Sequence, residues 1–225
     1  MGDRSGMRNV INIPTPLLAI SLVVVALISS CSVASSPGEV IFQDDFSRPV
    51  SGWDRYYDAT YSSDYQDGGY RIHVLEPNTD AWAIPHLDLT DVQIEVDTTM
   101  LGGPEDNVYG VLCRYKDSRN FYFFLISSDG YSGIGVYKDG RRRLLTDESL
   151  LPSEAVNRGD KPNHIRADCN GYQLRLFVNG ILVAETQAAE FPAGDVGLIA
   201  GSYGQPGTEI SFDNFSVLQP AAQNP

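Results

Sequence analysis

Two acids two positions apart, Glu95 and Asp97, lie in the segment Ile94-Glu95-Val96-Asp97-Thr98-Thr99-Met100. Strand alternation puts both on one face. A carboxyl pair ~5 Å apart can serve as the acid and nucleophile of a retaining glycosidase. The plainer reading is a strand with a polar outer face, Gln93, Glu95 and Asp97 alternating with Val92, Ile94 and Val96. The second chemical signal is aromatic. Trp53, Tyr56, Tyr57, Tyr61, Tyr65 and Tyr70 stand in a stretch rich in Ser, Asp and Gly, and Trp82 and Tyr131 follow in neighbouring segments. Tyr and Trp join a flat apolar face to a polar tip, which suits stacking on sugar rings. The residues expected to bind a glycan are Trp53, Tyr57, Trp82 and Tyr131, with Arg114 and Arg166 as outward hydrogen-bonding groups. Half of an alternating run must point inward, so some of these aromatics are core. His73, His86 and His164 are widely spaced and read as strand or loop histidines. The sequence has no CxxC or HxxxH metal spacing, no G-x-S-x-G, no P-loop and no dinucleotide fingerprint.

The elements that must position these residues are short strands. Turn signals recur at Gly68-Gly69, Gly102-Gly103, Asp129-Gly130, Asp139-Gly140, Asn170-Gly171 and Asn179-Gly180. No long amphipathic helix is present in the pattern, so the chain predicts an all-β sandwich or barrel. Leu144 to Arg158 reads as a long loop with a helical turn. Gly133, Gly135 and Gly201 read as turn or strand glycines rather than phosphate cradles.

The start of the chain gives an address. Arg4 and Arg8 precede an apolar run from Leu17 to Ile28, twelve residues long, where a spanning helix needs roughly 20. The run closes on Leu27-Ile28-Ser29-Ser30-Cys31, which resembles a bacterial lipobox. The expected organisation is a signal peptide over 1–30, a tether over 31–39 on a lipidated Cys31, a β domain over 40–218 and a frayed tail over 219–225. The protein is expected to be exported and held on the cell envelope through its N-terminal lipid only. Ser32 after the lipidated cysteine favours the outer membrane where the host has one. Removing residues 1–30 takes away Arg4, Arg8 and Asp3, so 16 Lys+Arg become 14, 29 Asp+Glu become 28, and the formal charge is −14. This acidity argues against nucleic acid and against electrostatic adhesion to anionic lipid.

With Cys31 lipidated, Cys113 and Cys169 remain, and an oxidising compartment favours a disulfide over two buried thiols. Ile165 to Thr186 holds three alternating segments separated by two Asn-Gly turns. Two-residue loops would set Cys169 opposite Tyr172, Ala167 opposite Leu174 and Ile165 opposite Leu176. In the second hairpin Val178 would face Ile181 and Leu176 would face Val183. The same register sets Arg166 opposite Arg175, a like-charge pair needing compensation. Cys169 falls on the apolar face. Tyr109, Val111, Cys113 and Tyr115 share a parity expected to point inward, with Arg114 outward. A bridge across 56 residues would contribute about 4 kcal/mol by loop closure.

Several segments together resemble the concanavalin A-like lectin/glucanase jelly roll. They are Phe42-Gln43-Asp44-Asp45-Phe46 with Trp53, Gly110 to Tyr115, Asn120-Phe121-Tyr122-Phe123, Leu176 to Gly180, Gly194 to Leu198, and Phe212-Asp213-Asn214-Phe215. The resemblance spans roughly Val40 to Leu218 and is nearest to the laminin-G-like and 3-keto-disaccharide-hydrolase-like branch. It implies a two-sheet antiparallel jelly-roll sandwich, first and last strands side by side, and glycan held on a concave face or rim loops. The laminarinase and lichenase branch carries E-x-D-x-x-E. Glu95 and Asp97 match its first two places, and Met100 stands where the third acid belongs. The resemblance also implies that a structural calcium, if bound, would sit near Asp44, Asp45 and Asp213. The reading is a lipid-anchored, non-catalytic module that binds glycan or another envelope polymer. The alternatives are an exported glycoside hydrolase and an adhesion domain without a small ligand.

Overall fold

The computed structural model describes residues 1–2 and 36–221. The expected signal peptide, the lipidated Cys31 and residues 222–225 lie outside the described residues. The strands belong to the second of two compact units, Ser35–Pro225. In chain order they are β1 (Val40–Asp44), β2 (Tyr56–Tyr57), β3 (Tyr61–Gln66), β4 (Gly69–Val74), β5 (Thr79–Ala83), β6 (Val92–Gly102), β7 (Asn107–Asp117), β8 (Asn120–Ile126), β9 (Tyr131–Lys138), β10 (Arg141–Leu144), β11 (Leu151–Pro152), β12 (Asn163–Asn170), β13 (Gln173–Val178), β14 (Ile181–Gln187), β15 (Asp195–Ser202) and β16 (Thr208–Leu218). No helix occurs among the described residues. Leu144 to Arg158 is turns and the two-residue β11, which pairs with β9, so the expected helical turn is absent.

Two antiparallel sheets stack as a jelly-roll sandwich. One runs β14-β13-β12-β6-β16-β4-β3-β2, with β1 added on β16. The other runs β10-β9-β8-β7-β15-β5, with β11 added on β9. First and last strands are neighbours, Val40 facing Leu218 and Asp44 facing Phe215. The core lies between the sheets and takes alternate residues from each: Ile94 and Val96 of β6, Ile165 and Ala167 of β12, Val111 of β7, Phe124 of β8 and Leu198 of β15. The 7-stranded sheet has a second apolar cluster on its other face, built on Leu112, Phe121, Phe123, Leu125 and Ile199. Phe121 to Ile126 are therefore fully buried without a break, as expected of a strand covered on both sides.

The disulfide forms between Cys113 of β7 and Cys169 of β12 and joins the two sheets, with Cα atoms 6.8 Å apart. Arg114 is the first correction. It takes a positive φ of 51° at a bulge after Cys113 and is 3 % exposed, not outward. Its guanidinium donates to the carbonyls of Phe191 (2.9 Å), Gly171 (2.7 Å) and Thr90 (3.4 Å) and pairs with Asp91 at 3.1 Å. The same bulge breaks the parity expected of Tyr109 to Tyr115. Tyr109, Val111 and Cys113 face the core, while Tyr115 packs in the outer cluster.

The hairpin register is the second correction. Asn179 and Gly180 both have positive φ, and Val178 faces Ile181, as the Asn-Gly signal requires. In the first hairpin only Gly171 has positive φ, so the loop is Gly171-Tyr172 and Asn170 faces Gln173. Cys169 thus faces Leu174, Ala167 faces Leu176 and Ile165 faces Val178. The pairing shifts by two residues, so the pairs change but the faces do not. Arg166 now lies opposite Phe177, and Asp168 opposite Arg175, so the like-charge pair does not exist. In the second hairpin a bulge at Val183 sets Leu176 against Ala184. At the chain ends Gly38 and Glu39 exchange backbone bonds with Gln219 at 2.8 Å, and Asn170 donates to the Ala221 carbonyl.

Arg114→Met removes four charge-assisted or carbonyl bonds at once, the one to the Phe191 carbonyl buried and the other three part-buried. It is expected to cost about 3–5 kcal/mol, read as a lower urea midpoint with the disulfide intact. A midpoint within experimental error of the wild type would show that Arg114 is not a structural clamp.

Candidate functional site

The outer face of the 7-stranded sheet is aromatic. Alternation along β5, β8, β9 and β10 sends Trp82, Phe121, Phe123, Tyr137 and Arg142 to it. Trp82 lies 5.4 Å from Phe121, and Phe121 stacks on Tyr137 at 4.8 Å. Tyr115 joins at 5.4 Å from Phe121. Tyr137 of β9 donates to Asp80 of β5 at 2.6 Å, although β8, β7 and β15 lie between those strands. Four strand spacings measure about 19 Å on a flat sheet, more than a tyrosine and an aspartate can bridge. The sheet therefore curls, and this face is concave. Close approach is possible because glycines stand between the rings. A Cβ on Gly135 would collide with the Phe123 ring, and one on Gly201 with the Asp80 carboxylate.

Arg142 closes the trough. Its guanidinium carbon sits 5.3 Å over Phe123 and 5.6 Å over Tyr203, it donates to the Tyr203 hydroxyl at 3.2–3.3 Å, and its Nε is 3.5 Å from Asp80. Burial alone would lower the Arg142 pKa, but Asp80, Tyr203 and Tyr137 together more than offset it, and the net shift is upward. Tyr137 is pushed up by burial and by the Asp80 carboxylate it donates to. Beside this network opens a cavity of about 660 Å³, lined by Tyr131, Tyr203, Arg142, Leu144 and Leu150 and by the acids Asp106, Asp129 and Glu148. Its floor is braced by Asn107, which is fully buried, donates to the Pro104 carbonyl (2.7 Å) and Ser128 Oγ (3.0 Å), and accepts from the Ser128 amide.

The six residues expected to bind a glycan do not form one site. Trp82 and Tyr131 share the concave face, and Tyr131 is 39 % exposed at the cavity. Trp53 is 4 % exposed and belongs to the core, packed on Phe46, Tyr70 and Phe215, with its indole donating to Asp44 at 3.0 Å. It has no face to offer a ligand. Arg114 is spent in the clamp between the sheets. Tyr57 is 85 % exposed on β2, at the edge of the other sheet. Arg166 lies on that sheet's outer face, gripped by Asp168 at 2.8–2.9 Å and stacked 4.5 Å from the Phe177 ring. Tyr137, Tyr203, Arg142 and Asp80 complete the concave site without a local sequence signal, and Tyr115 joins them from a position expected to face the core. The available signal was the unbroken apolar run Phe121 to Ile126, which requires cover on both faces.

Glu95 and Asp97 share the outer face of the 9-stranded sheet. His164 lies between them, Nδ1 2.8 Å from Asp97 and Nε2 3.7 Å from Glu95. Asn214 donates to Asp97 at 2.9 Å and Gln93 to Glu95 at 2.7 Å. Met100, at the third place of the motif, is buried in the core. Asp44, Asp45 and Asp213 are engaged locally: Asp44 by Trp53, Phe46 and Ser51, Asp45 by Ser47, Asp213 by the Asn214 amide. Among the described residues no three of His, Cys, Asp and Glu gather as metal ligands.

No protein-family profile and no curated protein sequence matches the chain. Solved structures do match it. A carbohydrate-binding module CBM66 from Bacillus subtilis superposes with a TM-score of 0.61 at 16 % identity, covering 75 % of this chain and 96 % of that one. A Bacillus subtilis protein of unknown function with a galectin-like fold gives 0.60 at 11 % identity over 84 % and 100 %. A GH43 protein from Bacillus licheniformis gives 0.57 at 15 % identity over 78 % of this chain but only 39 % of its own length. At these identities the likeness is one of fold, a two-sheet antiparallel jelly-roll sandwich.

Buried tyrosines make the protein sensitive to alkali. Burial lifts Tyr122 and Tyr61 from 10.0 to about 12. The Tyr122 hydroxyl also holds Glu190 Oε2 at 2.9 Å and accepts from the Glu190 and Phe191 amides. A phenol whose folded pKa is raised contributes stability in full below its unfolded pKa and loses it as pH climbs to the folded value. Stability is expected to hold to about pH 10 and to fall toward pH 12, with a shallower fall in Tyr122→Phe. Urea midpoints that stay level from pH 9 to 11.5 would refute this.

Proposed function

We propose that this chain is a non-catalytic glycan-binding module of the cell envelope, anchored through a lipid on Cys31. The observation that carries the reading is the concave face: an aromatic floor around Trp82 and Tyr137 leading to an open cavity walled by Tyr131 and Tyr203. A cavity of a few hundred cubic ångströms suits a small number of sugar rings. Tyr131 offers an exposed ring for stacking, and the hydroxyl of Tyr203 is already oriented by Arg142. Support also comes from the neighbours in fold, one described as a carbohydrate-binding module and others as glycoside hydrolases. The nearer kinship with the laminin-G-like and 3-keto-disaccharide-hydrolase-like branch is part of the same proposal.

The cavity's charge narrows the ligand class. Asp106, Asp129 and Glu148 line it, while its one cation, Arg142, is already committed to Asp80 and Tyr203. Uronate-rich or sulfated polymers would be repelled. A neutral or amino-sugar polymer fits. The second reading, an exported glycoside hydrolase, draws on these same acids, which are better placed than Glu95 and Asp97 to act on anything held in the cavity.

A glycan array with the processed protein, with and without calcium, tests both readings. Binding to a neutral or amino-sugar glycan without cleavage is expected. Trp82→Ala and Tyr131→Ala should each weaken it about tenfold or more, since a base or sugar ring on an aromatic face is worth about 1–3 kcal/mol. Glu95→Gln should leave binding unchanged. Turnover lost in Asp129→Asn or Glu148→Gln would promote the hydrolase. No binding to any glycan would leave the adhesion domain.

A further inference from the structure

The two ends of the sandwich differ in the loops they present. Val40, where the chain leaves its tether, pairs with Leu218, and Leu218 pairs with Gln93 at the start of β6. Val92 pairs with Cys169 at the end of β12, so the Gly171-Tyr172 turn lies at the tether end too. The Cys113–Cys169 bond and the Arg114–Gly171 contact bring the β7–β8 turn to the same end. The β9–β10 turn follows, because the Gly140 amide donates to the Arg119 carbonyl and the Arg119 guanidinium to the Asp139 carbonyl. These two adjoining turns present Lys116, Arg119, Lys138 and Arg141, all exposed and none in an ion pair within 4.0 Å among the described residues. Asp117 and Asp139 sit beside them, so the tips keep an excess of positive charge in a chain whose net charge is strongly negative. Tyr172 projects from the same end, 69 % exposed. The cavity is at the other end, bordered by the first residues of β7 and β9 and by Tyr203 just past β15.

We infer that the tether end, with Lys116, Arg119, Lys138, Arg141 and Tyr172, is a docking surface for an anionic bilayer, and that it holds the cavity facing away from the membrane. The inference rests on lipidation of Cys31. Ser36 is only five residues after Cys31, a reach of at most about 17 Å, so a lipidated chain must keep this end near the headgroups. Cations within a Debye length of an anionic leaflet are drawn to it. A tyrosine suits the interface, where its ring is half-buried and its hydroxyl is wet. Glu39 and Asp91 also lie at this end, Asp91 already paired with Arg114 at 3.1 Å, so the attraction is local to the two cationic turns, which stand within a Debye length of a leaflet that this end faces. The surface adds a protein contact to the membrane contact of the lipid.

The test uses the full chain processed in a bacterial host, purified from membranes and reconstituted into phosphatidylcholine vesicles with or without about one third phosphatidylglycerol. Flotation reads the anchor. Hydrogen exchange reads the orientation. The expected result is flotation with both vesicles, and exchange slowed several-fold at 116–119, 138–141 and 171–173 only on the anionic ones. Residues 127–131 and 146–150 should exchange as in detergent. The quadruple variant K116E/R119E/K138E/R141E should still float, with its circular dichroism unchanged, and lose the protection. A wild-type protein that does not float would overturn the lipid anchor and the docking with it. Flotation with no protection at these turns, or with protection at the cavity end, would overturn the docking alone.

Discussion

Two consecutive residues of one strand hold the two sheets together. Cys113 turns inward to Cys169, and Arg114, set at a positive φ by the bulge that follows, reaches the same end of β12 from the sandwich's edge. A guanidinium taken out of water is costly unless its donors are all met. Here carbonyls from three separate segments, Thr90, Gly171 and Phe191, and the Asp91 carboxylate meet them. The segments that receive it are loops, and the Phe191 carbonyl is buried with it. The covalent bond fixes the distance between sheets, and the arginine fixes what lies over their joint end.

With that end fixed, the 7-stranded sheet can curl. Its curl is bought with side chains rather than backbone: rings from β5, β8 and β9 meet over glycines of β9 and β15, and the Tyr137–Asp80–Arg142 contacts span the trough. Arg142 belongs both to these contacts and to the cavity wall, where it holds the Tyr203 hydroxyl in place. A preorganised aromatic floor loses little side-chain freedom on binding. The 9-stranded sheet, by contrast, offers polar groups, Glu95, Asp97, His164 and Arg166, each already paired.

Much of the fold could be read from local chemistry. The two cysteines were assigned from compartment and parity, and Asn179-Gly180 behaves as both its residues demand. The neighbouring Asn170-Gly171 does not, because Asn170 stays in the strand and Gly171 alone takes the left-handed backbone. Nothing in the dipeptide distinguishes the two cases, whereas Asp91, which accepts from the Gly171 amide, does. Arg114 was misread for a similar reason. Alternation places it outward, and only a bulge whose driving contacts are 23 to 77 residues away reverses it. Trp53 was misread because a tryptophan in a Tyr-rich polar stretch looks like a platform. Its indole N–H partner, Asp44, lies nine residues upstream and makes it core. The concave site escaped notice because its parts come from β5, β8, β9, β10 and the segment after β15, which only the sheet's curl brings together.

The pairing of β1 with β16 has a mechanical consequence. The chain enters the domain at Val40 and runs antiparallel to the final strand, and the cavity lies at the opposite end of the sandwich. A load applied between that end and Val40 would therefore pull along the strands. The β1–β16 hydrogen bonds then carry it side by side, in shear, instead of opening one after another like a zip. Under such a load the five-residue first strand could leave only by sliding past β16, so that its bonds would have to break together.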